Sequence, residues 1–83
     1  MWRHTVEITE HHQAVLVRPF GPAAPVRRRQ LVKLVPGEVI RGEVCSYVKD
    51  LAWNCFVEVA DIILPGGGIL LRVPCHAFRF LDN

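Results

Sequence analysis

The side chains of this 83-residue chain with most to offer chemically are three cysteines, four histidines and one serine, and their spacing keeps them apart. Nucleophilic catalysis needs a nucleophile, a base and an orienting group that meet in space. Ser46 sits mid-strand on the parity that faces a core, with no base in its pattern. Cys75 and His76 are adjacent, and adjacent residues of extended backbone point to opposite sides, so they do not form a Cys–His couple. His4, His11, His12 and His76 with Cys45, Cys55 and Cys75 supply enough donor atoms for zinc, but in no Cys-x-x-Cys or His-x₃-His spacing. The expectation is therefore no catalytic set, no metal and no cofactor. His11 and His12 read as exposed turn residues, and the cysteines as small buried or half-buried apolar groups.

Charge offers more. Net charge is +2, unevenly placed: residues 1–41 hold seven Lys/Arg against three Glu (+4), and residues 42–83 hold three against five acids (−2). Between positions 18 and 33 lie Arg18, Arg27, Arg28, Arg29 and Lys33, with no acid. Such a stretch can contact phosphates or an acidic partner, or simply be solvated. Single-strand nucleic-acid binding also needs aromatic side chains for base stacking. Trp53 is the candidate for that role, with Phe20 beside the basic stretch.

These residues must be positioned by strands. The chain has no ten-residue amphipathic helical pattern, no repeat and no low-complexity tract. Turn signals separate five to seven short apolar-alternating runs, which predicts one all-β domain, a small barrel. The central element is Asn54–Val73, two runs rich in Val, Ile and Phe around Pro65-Gly66-Gly67-Gly68, a long hairpin. Setting Leu64 opposite Ile69 places Ile62 opposite Leu71 and Asp61 opposite Arg72, a cross-strand charge pair. Glu58 and Asp61 have opposite parities, which a β-bulge at Val59-Ala60 would reconcile. Val57, Val59, Ile62, Leu64, Ile69, Leu71 and Val73 then face inward, and Ile63 and Leu70 face outward beside the charges.

The remaining runs follow in order. Residues 2–9 and 13–18 form two strands and an N-terminal hairpin across the turn Glu10-His11-His12. Pro19 ends the second strand. Residues 19–29 form a basic Pro/Gly loop. A strand at 30–35, a turn at Pro36-Gly37 and a strand at 38–48 come next, with Gly42 leaving room for a close neighbour. Lys49–Trp53 reads as a connection with room for one helical turn. Pro74-Cys75-His76-Ala77 reads as a tight 3₁₀-like turn before a closing strand at 78–81.

From Pro36 onward the order of parts resembles an SH3-type barrel. Pro36-Gly37-Glu38-Val39-Ile40 is similar to the opening of that fold's second strand. A connection with Trp53, a hairpin with a glycine-rich tip, Val73-Pro74 before a short turn, and a final strand with Phe78 follow. The resemblance implies a fold over residues 36–81, not an activity. It does not imply proline-rich peptide binding. The surface aromatics of that mode are missing, the double tryptophan is reduced to Trp53, Ala77 stands for a tyrosine, and Arg27-Arg28-Arg29 for an acidic loop.

Length and composition set the rest. A domain of this size buries only about 60–65% of its unfolded surface, yet 51% of residues are apolar, including twelve valines. Surplus apolar surface points to self-association or a protein partner. Ile63, Leu70, Phe56 and Trp2 are the interface candidates. An odd cysteine count without paired spacing suggests reduced thiols. No apolar leader and no run of about 20 apolar residues is seen, so a soluble cytoplasmic protein is expected. The functional expectation is a non-catalytic interaction module. It self-associates through the central hairpin and presents the basic stretch to a partner. Alternatives are a nucleic-acid-binding accessory protein using Arg18, Arg27–Arg29 and Lys33, and a small enzyme with a site shared between subunits.

Overall fold

A computed structural model describes residues 4–20 and 26–82, the backbone alone at 19–20 and 26–27. Among the described residues the chain makes seven strands and a 3₁₀ turn: β1 (His4–Ile8), β2 (His12–Phe20), β3 (Val26–Leu34), β4 (Val39–Ala52), β5 (Cys55–Ile63), β6 (Ile69–Pro74), the turn Cys75–Ala77 and β7 (Phe78–Phe80). All pair antiparallel in one sheet of order β3-β2-β6-β5-β4-β1-β7. The sheet curls strongly into a half-barrel. Among the described residues its terminal strands, β3 and β7, do not pair with each other.

The concave face holds the core. Val6, Ile8, Ala14, Leu16, Leu34, Ala60, Ile62, Leu70, Val73 and Phe78 are buried there, flanked by Val32, Ile40, Val44, Leu64 and Cys75. Even-numbered positions of β1 to β5 supply most of this set, as strand alternation requires. The parts named in the sequence from Pro36 onward occur in the expected order. The Pro36-Gly37 turn, the Gly-rich tip, the 3₁₀ turn after Pro74 and a last strand opening with Phe78 are all present. Gly42 is a point of close approach between β4 and β5: a Cβ there would lie 2.5 Å from the Ile63 carbonyl oxygen.

Five expectations need correction. First, β1 and β2 do not form a hairpin. β1 pairs with β4 and β7, which buries Val6 and Ile8 among distant strands, and Glu7 takes Arg79 of β7 at 2.6–2.8 Å. Second, the basic stretch 19–29 is not all loop. β2 continues through Pro19 to Phe20 and β3 starts at Val26. Proline is tolerated because β6 pairs only with Val15, Leu16 and Val17 of β2.

Third, Lys49–Trp53 is not a helical connection. β4 runs on to Ala52, with Leu51 as an extra residue between the pairs Asp50↔Phe56 and Ala52↔Cys55. Trp53 and Asn54 close the hairpin with φ of 53° and 62°. Positive φ at both central residues marks the two-residue turn whose twist suits paired strands.

Fourth, the β5–β6 register is shifted by one on the tip side, where Ile63 faces Ile69 and Ile62 faces Leu70, whereas Ala60↔Val73 and Val59↔Pro74 keep the expected register. Fifth, the bulge lies on β6, not at Val59-Ala60. Three steps from Leu70 to Val73 match two from Ile62 to Ala60, so Leu71 and Arg72 share Asp61 as their partner. Arg72 adopts φ 55°. Its freed N–H donates to Asp61 Oδ1 at 3.0 Å, and the Tyr47 hydroxyl donates to the same oxygen at 3.0 Å. Residues 61 and 72 do meet, through a backbone amide. The extra residue also reverses the facing of β6, so Leu70 enters the core at 4% exposure and Leu71 is half-buried.

Candidate interaction surfaces

The register fixes two projecting ends. Val17, Ile69 and Ile63 lie at one level across β2, β6 and β5. Beyond that level β2 and β3 continue alone, carrying Arg18 opposite Arg28. At the other end β6 stops at Pro74, level with Val59, and β4 and β5 continue as a two-stranded arm to the Trp53-Asn54 turn. Eight steps along β5, from Ile63 to Cys55, separate the levels of the two ends, roughly 26 Å along the strand. The structure thus places Trp53 far from Arg18, Arg28 and Arg29.

The arm is apolar and exposed. Val48, Leu51, Phe56 and Trp53 all face solvent, Trp53 at 98% exposure. Val48 opposes Glu58 and Asp50 opposes Phe56, so Val48 and Phe56 are diagonal neighbours on one face, within reach of each other. Left-handed backbone at a bulky residue costs about 1–2 kcal/mol, and an indole in water returns nothing for it. Of the interface candidates, Phe56 belongs to this arm. Ile63 is half-buried on the convex face, Leu70 is in the core, and Trp2 lies outside the described residues. Sequence reasoning missed Val48 and Leu51. Leu51 was hidden by reading 49–53 as a connection rather than as a bulged strand end.

The cations divide between the two faces of the β2–β3 hairpin. Arg29, Leu31 and Lys33 pair with Val17, Val15 and Gln13 and share the convex face, whereas Arg18 and Arg28 have the opposite parity. Of Arg27 only the backbone is described, opposite Pro19. Arg29 and Arg72 meet across a cleft of about 240 Å³ that His12, Gln13, Val15 and Leu71 also line. Leu31 stands out at 64% exposure.

The polar groups that could do chemistry are differently arranged. Only Cys75 is half-buried as expected; Cys45 and Cys55 are exposed instead, and all three are free thiols. Burial, with the Glu58 charge adding to it, pushes the Cys75 thiol up, away from the reactive thiolate. Ser46, Glu58 and Cys75 share a cleft of about 230 Å³ with Val44, Phe78 and Phe80. His76 lies 3.4 Å from Glu10. Among the described residues no group of three or more His, Cys, Asp or Glu side chains is placed to hold a metal ion. Burial, and then the neighbouring His76, lowers the His12 pKa. Tyr47 is raised, first by burial and then by the Asp61 carboxylate, with Arg72 opposing.

No family model, curated protein or solved structure matches the chain. Among the described residues no helix is long and apolar enough to cross a membrane.

Proposed function

We propose that the protein is a non-catalytic interaction module that self-associates through its β4–β5 arm and presents the basic β3 strand to a partner. The observation that carries this reading is Trp53, a bulky aromatic in left-handed backbone, 98% exposed at the tip of an apolar arm. Strain at an exposed residue that packs on nothing points to a role outside the fold. Large aromatics of this kind dominate binding energy when a partner desolvates them. Self-association moves from the β5–β6 hairpin to the arm, because Leu70 is spent on the core. Three free thiols fit a reducing compartment such as the cytoplasm.

Sedimentation velocity over a wide concentration range tests the proposal. The expected result is a concentration-dependent dimer or larger species that Trp53→Ser and Phe56→Ser return to monomer, with unchanged circular dichroism. A protein that stays monomeric at high concentration refutes it. The nucleic-acid reading keeps the cations but loses its stacking candidate, since Trp53 is at the far end and Tyr47, an exposed aromatic of the convex face, stands on β4, four strands from β3, with its hydroxyl on Asp61.

A further inference from the structure

Every open sheet has two edges, and here they differ. β7 is three residues long, too short to template much pairing, and its Arg79 is held by Glu7. β3 is nine residues long, and among the described residues its only strand partner is β2. Alternate residues of a strand direct their N–H and C=O groups toward each side, so one side of β3 offers a row of backbone donors and acceptors to an incoming chain. We infer that β3 accepts an extended acidic segment of another protein as an added strand. This rests on reading the chain as an interaction module, but not on its self-association.

Charge selects that occupant. β3 carries Arg27, Arg28, Arg29 and Lys33 and no acid. A second copy of β3 laid on this edge would bring like charges together, which is the usual protection of an edge strand against itself. A segment of the pattern Glu-x-Val-x-Glu, whose one face reads acid, β-branched, acid, meets the opposite condition. Its carboxylates oppose Arg29 and Lys33 on the convex face, and the exposed Leu31 between them takes an apolar side chain. Main-chain bonds supply affinity and the alternating side chains supply choice, as in other strand-addition complexes. Nucleic acid would use the same charges, but neither the backbone edge nor Leu31.

Fluorescence anisotropy of a labelled short peptide built on Glu-Thr-Val-Thr-Glu, titrated with the whole protein, tests the inference. A twin N-methylated along both edges keeps every charge and loses the strand donors. The expected results are binding of the first peptide and at least tenfold weaker binding of the twin. Amides of residues 26–34 gain hydrogen-exchange protection in the complex. Arg29→Ser with Lys33→Ser weakens binding on the order of tenfold, from two cross-strand charge pairs. Trp53→Ser leaves peptide binding unchanged, which separates this site from the self-association surface. Equal binding of the methylated twin overturns the inference. So does tighter binding of a single-stranded oligonucleotide at about 150 mM salt, or no peptide binding even at low salt.

Discussion

Replacing Gly42 by alanine tests whether the close approach of β4 and β5 depends on one missing side chain. Strand glycines are ordinarily a weakness, and alanine regains about 0.5–1 kcal/mol of backbone entropy. Here the added Cβ would sit 2.5 Å from the Ile63 carbonyl oxygen and 3.0 Å from Ile62 Cγ2, where ordinary contact begins at 3.4 Å. The backbone oxygen must therefore retreat by about 3.4 − 2.5 = 0.9 Å, in a strand whose pairing with β4 is fixed by Glu43↔Ile63 and Val44↔Ile62. Overpacking of this kind costs about 1–3 kcal/mol. Less the entropic gain, the net loss is about 1 kcal/mol at mid-range, or roughly 4–8 °C in melting temperature for a domain of this size. Gly68→Ala is the control. Its Cβ meets first the Leu16 Cδ1 at 3.3 Å, the movable end of a side chain, so its melting temperature should move by no more than about 3 °C. Thermal unfolding by circular dichroism of both variants decides the matter. An alanine at 42 that melts at or above the parent refutes the close approach of the two strands.

Trp53→Gly should raise stability by about 0.5–1 kcal/mol, because glycine adopts the φ of 53° without strain, while sedimentation shows self-association lost. A melting temperature that falls would remove the argument from strain. Asp61→Ala should cost more than Tyr47→Phe in urea unfolding. The carboxylate accepts from both the Tyr47 hydroxyl and the Arg72 N–H, and each such bond is worth about 0.5–1.5 kcal/mol. Equal costs would deny the carboxylate its hold on the bulge. For His12 the folded pKa lies below the ordinary 6.5. The unfolded chain then binds more protons between the two values, so this contribution is complete above about pH 6.5 and is lost as pH falls through that window. Denaturant midpoints measured from pH 7.5 down to about 5 should fall less in His12→Gln than in the parent. Parallel curves would contradict the assignment.

Much of the fold is legible in the chain because its punctuation is chemical. Pro36-Gly37, Pro65–Gly68 and Pro74 mark turns by residue type alone, and the valine-rich alternation between them reads as strand. What escaped is what residue type argues against. Trp53 and Arg72 occupy left-handed backbone where glycine or asparagine would be expected, so the hairpin turn at 53–54 and the bulge at 72 carry no local signal. The opposite parities of Glu58 and Asp61 do signal a bulge, but placing it on β5 instead of β6 shifts the register at the hairpin tip by one and turns Leu70 outward. Likewise β1 looks like the partner of the next strand in sequence. Its true partners, β4 and β7, are chosen by burial of Val6 and Ile8 across the whole chain. The basic residues were visible at once. That they belong to a strand at the edge of a sheet was not, because prolines in 19–25 read as loop.

The two projecting ends point in opposite directions, and this bears on valency. Copies joined through their tryptophan tips leave their cationic strands turned outward and unobstructed, so a pair offers two equivalent grips. A ligand with repeated acidic stretches could engage both, the second at the high local concentration set by its tether. Avidity of this sort can exceed single-site affinity by about 10²–10⁴, enough for a weak individual grip to become a durable hold.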